Sequence, residues 1–321
     1  MMVRIRFVIF LRLLAIRLQE TNTTLNQASG TNRRLKLVLK LLVTGICAWY
    51  ISGKIDWSLT AQWLRQANGW YLFPAVILFV LSKWVSSIRL NMYFRNIELY
   101  LSAGNNLRLY WLGMFYNLFL PGAISGDIYK VILLTRNYNK PYKKTATAVI
   151  LDRFSGLLGL GLLLGILSFF LQLPYALNYL IPWLAVLLVP AFYFVLRKFF
   201  PDFIPGFYST LLLGMVVQLL QVLAVGMIML SLGITAPVTA YLFLFLVSSA
   251  VSVLPLTIGG LGIRELVFLE GAGLFQLSAE KAILISLAFY GITLISSLAG
   301  GIWIFRSPIK EKGLSDEPLI S

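Results

Sequence analysis

Six ionisable side chains stand in stretches otherwise built of apolar residues: Lys83, Asp127, Asp152, Arg153, Arg264 and Glu265. Charge in a hydrocarbon setting is expensive, so such groups either pair with one another or mark the path of a ligand. Three of them cluster on a repeated phrase. The string "LPGAISGD" runs from Leu120 to Asp127, and "LPLTIGGL" from Leu254 to Leu261; both read L-P-x-x-I-[S/G]-G. Pro121 and Pro255 lack an N–H and disfavour helix in the residue before them, so each ends an incoming helix. Gly122 and Gly126, with Ser125 between them, and Gly259, Gly260 and Gly262 supply the backbone freedom of a break. A new half-helix then opens with unbonded N–H groups and a partial positive charge, a setting that suits a phosphate or carboxylate. Lys130, one turn after Asp127, aligns with Arg264 of the second copy. Asn117, just ahead of the first copy, can bond freed backbone, and it aligns with Val251. Asp152–Arg153 and Arg264–Glu265 are adjacent pairs whose members project differently from a helix and need separate partners. The plainer alternative is two Pro-Gly turns joining neighbouring helices, with Lys83, Asp152 and Arg153 in structural salt bridges near an interface.

The elements that hold these residues are apolar throughout. The chain has 321 residues, 59% hydrophobic, with mean hydropathy +0.84. Only 12% are charged, about half the usual share of a soluble domain. Apolar segments fall at about 35–52, 70–92, 106–120, 124–135, 146–171, 178–197, 208–232, 237–254, 259–275 and 280–305. Many are long enough to cross a hydrocarbon core of about 30 Å, which makes this an all-α polytopic membrane protein. Segments 106–120 and 124–135 are short and suggest a re-entrant hairpin; 237–254 and 259–275 are longer and could span. Gly161-x-x-x-Gly165 reads as helix packing, and a dinucleotide loop lacks the required spacing there. Three domains of sequence are expected: a basic cytoplasmic or membrane-surface segment over 1–33, a transmembrane domain over 34–306, and a cytoplasmic tail over 307–321. Residues 1–33 show no convincing signal-peptide cleavage site.

Loop charge orients the chain. With both hairpins re-entrant and a cytoplasmic N-terminus, the cytoplasmic pieces carry eight, three, five, two and three Lys or Arg, 21 in all. The external loops carry only Lys54, Arg65 and Lys281. This is a strong positive-inside signal for a multi-pass plasma (inner) membrane protein with both termini cytoplasmic. Parity adds that a unit of about 70–171 and a second of about 208–305 are separated by one span, so the second is inverted relative to the first. Inverted units with broken helices are the plan of many secondary transporters. The net charge of +15 is thereby explained by loops, and no soluble basic domain for nucleic acid exists. The sequence has no histidine and one cysteine, Cys47, which removes the commonest base and metal ligand and any disulfide framework. No cofactor or metal is expected.

At "NLFLPGAISGDIYKVILL", "VILDRFSGLLGL" and "LPLTIGGLGIRELVF" the chain resembles the lysylphosphatidylglycerol synthase transmembrane-region family, flippase-like domains also found at the N-terminus of the bacterial multiple peptide resistance factor. Asn117, Pro121, Gly122, Gly126 and Asp127 match the family's first block. Pro255, Gly259, Gly260, Gly262, Arg264 and Glu265 match its third. Ser125 stands for a glycine, Lys130 for an arginine, and Asp152 for the glutamate beside Arg153. The resemblance covers roughly residues 35–306 and implies lipid handling or translocation. It does not imply the aminoacyl transfer performed by a soluble C-terminal domain, because the sequence ends about 15 residues after the last apolar segment.

The expected function is a flippase or transporter for an anionic lipid, a phospholipid or a polyprenyl-phosphate-linked glycan. Half-helix N-termini and basic residues would bind the phosphate, and rocking of the two units would expose it alternately. The alternatives are a lipid-linked glycosyl or aminoacyl transferase with Asp127 or Glu265 as base, or a non-catalytic membrane partner of such an enzyme. Expected partners are anionic membrane lipids, with a glycosyltransferase or synthase encoded nearby and a second copy of the chain as further candidates. Orientation is directly testable. In a Cys47→Ser background, cysteines at Tyr175 and Thr235 react with an impermeant thiol reagent added outside, and cysteines at Asn139 and Asp202 do not. The opposite labelling pattern overturns both the orientation and the inversion.

Overall fold

The computed structural model describes residues 38, 41–119, 125–171, 173, 175–253, 257, 260–304 and 308–309, with the side chains of 175 and 176 left aside. Among them the protein is all-helical. The elements are α1 (Leu41–Ser52), α2 (Trp57–Gln66), α3 (Leu72–Arg95), α4 (Ala103–Phe119), α5 (Ser125–Tyr138), α6 (Tyr142–Ser168), α7 (Tyr175–Phe199), α8 (Phe207–Ser231), α9 (Val238–Ser252), α10 (Ile263–Leu274) and α11 (Ala279–Gly300). Five of them, α3, α6, α7, α8 and α11, are long and apolar enough to cross a membrane. The basic segment 1–33 and the tail 307–321 fall almost wholly outside the described residues.

Helix length sorts the rest. Helices α4, α5, α9 and α10 have 17, 14, 15 and 12 residues. At 1.5 Å per residue they reach only about 18–26 Å, short of the hydrocarbon thickness. The segments expected at 237–254 and 259–275 are therefore as short as those of the first hairpin, because the second break removes residues from both. Residues 57–66, expected as loop, form α2. The Asp56 carboxylate accepts from the amides of Ser58 and Leu59 and so caps it. The Ser58 hydroxyl, then those two amides, hold this exposed carboxyl below its usual range.

Long-short-short-long thus occurs twice, as α3–α4–α5–α6 and α8–α9–α10–α11. Packing follows the same exchange. Helix α6 packs on α9 and α11 on α4; α5 on α6 and α10 on α11; α3 on α6 and α8 on α11. Helices α3 and α8 pack most extensively of all, on each other. They run antiparallel: the Tyr93 hydroxyl near the end of α3 donates to Thr210 near the start of α8 at 3.1 Å, and the Asn68 amide just before α3 donates to the Ser231 carbonyl at the end of α8 at 2.8 Å.

The core divides accordingly. One cluster gathers Phe79 of α3 with Ile228, Phe245, Phe268 and Phe289 of the later helices. The other gathers Leu90, Tyr93 and Phe94 of α3 with Leu109, Leu134, Leu151 and Phe207. Each cluster therefore takes part of α3 and part of α8. Loop ends also sort in space. Lys140 meets Glu98 at 3.5 Å and Lys144 meets Asp202 at 3.2 Å, which gathers three basic connections at one end of the bundle. At the other end Lys281 lies 3.8 Å over the Trp63 ring and ties α2 to the start of α11.

Glycine sets the closest crossings. A Cβ on Gly126 would overlap the Gly113 carbonyl, and one on Gly159 would lie 2.6 Å from the backbone of Gly214. Gly165 faces Ala185 of α7 as closely, so the glycine run in α6 is helix packing. Gly126→Ala and Gly159→Ala should each lower the melting temperature in detergent, since the obstacle is backbone and cannot step aside. Gly226, also within a helix, meets nothing within 4 Å, and Gly226→Ala should leave stability unchanged or raise it by about 0.5–1 kcal/mol. Thermal scans of the three variants check this.

Candidate functional site

The start of α5 is held by side chains from three helices. Asn117 of α4 accepts the Gly126 amide at 2.8 Å, so the freed backbone is bonded as expected of that residue. Asp127 follows in the first turn, where its charge also complements the helix dipole. Its carboxylate takes Lys130 at 3.2 Å on one oxygen and Arg153 of α6 on the other. Lys130 reaches this position by lying along Gly113, where a Cβ would displace its side chain, with its Nζ 4.5 Å over the Tyr110 ring. Ser125 opens α5 and is half-buried. Pro121 and Gly122 lie outside the described residues.

The start of α10 is built differently. Gly260 and Gly262 have φ of +83° and +91°, which L side chains rarely adopt, so the second break depends on glycine at both positions. Glu265, 3% exposed, reaches back to accept the Gly262 amide at 2.6 Å. Its other oxygen accepts from the Ser286 hydroxyl of α11 at 2.7 Å. Pro255 and Gly259 lie outside the described residues. Both half-helices thus carry a protein acceptor on a leading amide, and those two amides are not open to a ligand.

Separate partners are found for both adjacent pairs. Asp152 pairs with Arg89 of α3 at 2.8 Å while Arg153 goes to Asp127. Arg264 donates to the Ser249 hydroxyl of α9 at 3.1 Å while Glu265 accepts from the Ser286 hydroxyl of α11. Arg89 is a correction: loop counting places it among cytoplasmic charges, yet it is 5% exposed inside the bundle. Its position within the apolar segment 70–92 is the available signal. Its Nη1 is buried without a hydrogen-bond partner beside Gly156 and Gly214, whose missing side chains make room for it.

Lys83 and Arg264 have no carboxylate within salt-bridge distance among the described residues. Lys83 of α3 lies 4.6 Å over the Phe79 ring. Arg264 lies 4.9 Å over Phe289 and 5.7 Å over Phe245. Phe289 meets both other rings edge to face, at 5.6 Å from Phe79 and 4.7 Å from Phe245, so the two cations stand over linked rings of one aromatic cluster. The charges acting on Lys83 are those of Arg264 and Arg89, both positive. Lys83 and Arg264 are both half-buried in the bundle. No group of His, Cys, Asp and Glu that could hold a metal occurs among the described residues.

These contacts separate structural charge from free charge. Arg89→Met leaves Asp152 buried and unpaired and should destabilise the fold by about 3–5 kcal/mol, as breaking a buried pair does. The Arg89→Met, Asp152→Leu double variant should recover much of that loss. A double variant as unstable as the sum of its two parents would show that the pair carries no mutual compensation.

No curated protein matches the chain. A family model, described as the lysylphosphatidylglycerol synthase TM region, matches residues 37–301 and so takes in every helix of both long-short-short-long sets. The chain is a multi-pass membrane protein that belongs to the lysylphosphatidylglycerol synthase TM region family.

Proposed function

We infer that the protein binds an anionic lipid at the interface of two inverted helical units and moves its head group across the membrane. The observation that carries this reading is the pair Lys83 and Arg264: one from each unit, both half-buried, both without a carboxylate in salt-bridge contact, over linked rings of one aromatic cluster. An uncompensated cation at membrane depth is costly, and an anionic ligand offsets that cost. Basic side chains carry the binding, since the leading amides of Gly126 and Gly262 already have acceptors.

The inversion is supported by the exchange of contacts between the two sets and by the antiparallel run of α3 and α8. The basic connections gathered at one end support that end as cytoplasmic, in a plasma (inner) membrane, with both termini on that side. Asp127 holds two cations and Glu265 an amide and a hydroxyl, so neither carboxylate is poised to take a proton from a substrate. A lipid-modifying enzyme nearby in the membrane, and a second copy of the chain, remain the partners proposed.

Purified protein in vesicles should make a labelled lipid phosphate accessible from the opposite leaflet faster than empty vesicles do. Arg264→Ala should slow this movement to near the empty-vesicle rate while the protein still folds and inserts. If the purified chain instead changes the mass of the lipid when given a sugar or aminoacyl donor, a transferase replaces the translocation reading.

A further inference from the structure

The inside of the bundle carries more positive than negative charge. Among the described residues, the charged side chains of the two breaks and of the helices packed on them are Lys83, Arg89, Lys130, Arg153 and Arg264 against Asp127, Asp152 and Glu265, while half-buried Arg108 of α4 rests over the Trp303 ring. The carboxylates do not share themselves evenly. Asp152 takes Arg89, and Asp127 takes both Lys130 and Arg153. Glu265 acts on Arg264 only from a distance, because both of its oxygens are occupied by the Gly262 amide and the Ser286 hydroxyl. Lys83 and Arg264 are left with no carboxylate contact; of the two excess positive charges in this set, one lies at Asp127, which faces two cations, and one lies here, with Glu265 committed to the Gly262 amide and the Ser286 hydroxyl. Both left-over cations stand over linked rings of the Phe79–Phe289–Phe245 cluster, with donors to spare. Lys83 offers an ammonium with three N–H groups, and Arg264 has spent one of its five on Ser249.

We propose that the Lys83–Arg264 site selects a head group with two negative charges, a lipid phosphate monoester, over a singly charged phosphodiester; this rests on the reading that the site binds a lipid anion. A phosphate monoester carries a charge of about −1.5 to −2 at neutral pH and three unesterified oxygens. It neutralises both free cations and still has an oxygen for the Ser249 side of the site. A phosphodiester carries one charge and leaves one of the two cations without a direct counter-charge, which is costly inside the bundle even after relaxation. The aromatic cluster of Phe79, Phe245 and Phe289 favours cations at its ring faces but supplies no counter-charge, so it holds the two side chains in place without satisfying them.

The test uses the full chain in vesicles of zwitterionic lipid, with phosphatidic acid and phosphatidylglycerol of equal acyl chains as probes. Two quantities are read: transbilayer movement of each probe, and its retention on the protein through detergent exchange. Phosphatidic acid should exceed phosphatidylglycerol by at least about tenfold in both, given the cost of one uncompensated buried ion. Lys83→Met and Arg264→Gln should bring phosphatidic acid down to the phosphatidylglycerol level. Lys83→Met should also melt no lower than the parent without ligand and lose the stabilisation that phosphatidic acid gives, which a lysine in a structural ion pair would not do. Equal handling of the two lipids overturns the selection for two charges and leaves lipid movement standing. Retention of phosphatidic acid with no movement of either lipid keeps the site and overturns translocation. Neither retention nor movement overturns both. Millimolar inorganic phosphate that displaces phosphatidic acid and is itself retained assigns the site to a soluble phosphate and overturns the lipid. A Lys83→Met protein that melts well below the parent overturns the claim that this charge is uncompensated.

Discussion

A helix can stop inside hydrocarbon only where something takes over its open amides, and that single requirement shapes both halves of this protein. The first break is met by Asn117 from the helix that ends there, and the second by Glu265 from the helix that begins there. The two solutions differ in charge, and the difference propagates. An amide cap is neutral, so Asp127 is free to gather Lys130 and Arg153. A carboxylate cap is committed to backbone and to Ser286, so Arg264 is left to a hydroxyl and to aromatic faces. Two copies of one phrase thereby give one carboxylate shared by two cations and one cation held by a hydroxyl and aromatic faces.

That asymmetry also bears on how a near-repeat becomes a functional interface. The α3 helix supplies a cation to each kind of surrounding. Arg89 pairs with Asp152 across α6, and Lys83, less than two turns earlier, faces the second set of helices over the aromatic cluster. Buried pairing is a weak source of stability but a strong penalty when broken, so Arg89 fixes the register of α3 against α6. With that register fixed, Lys83 has no freedom to seek a carboxylate elsewhere.

Much of this architecture was legible in the residues. Long apolar runs mark α3, α6, α7, α8 and α11 because hydropathy and length suffice for a full crossing. The breaks are legible because proline and glycine act through local backbone geometry. The adjacent pairs Asp152–Arg153 and Arg264–Glu265 announce separate partners through helical projection alone. What the sequence hid depends on distant contacts. Arg89 reads as a loop charge near the end of an apolar run, and only Asp152, 63 residues away, shows it to be interior. Helix α2 hides because Gln62, Arg65 and Gln66 make it polar on average, while its anchor is a lysine on α11. Phe79, Phe245 and Phe289 look like any core aromatics until the two cations above them are placed.

The sharing of α3 and α8 between the two core clusters has a mechanical consequence. A body whose core extends through another body's helix cannot tilt as a block without shearing packed side chains on both sides. The α3–α8 pair therefore behaves as an axle, fixed at one end by Tyr93 and Thr210 and at the other by Asn68 and Ser231. Displacement is cheapest in the elements that end at breaks, the α4–α5 and α9–α10 hairpins. The first of these is locked internally by the bare backbone contact of Gly113 and Gly126, so its two helices hold together as one piece. The stiffest part of the fold is thus its centre, and the short helices beside it are the parts whose displacement disturbs the fewest packed side chains.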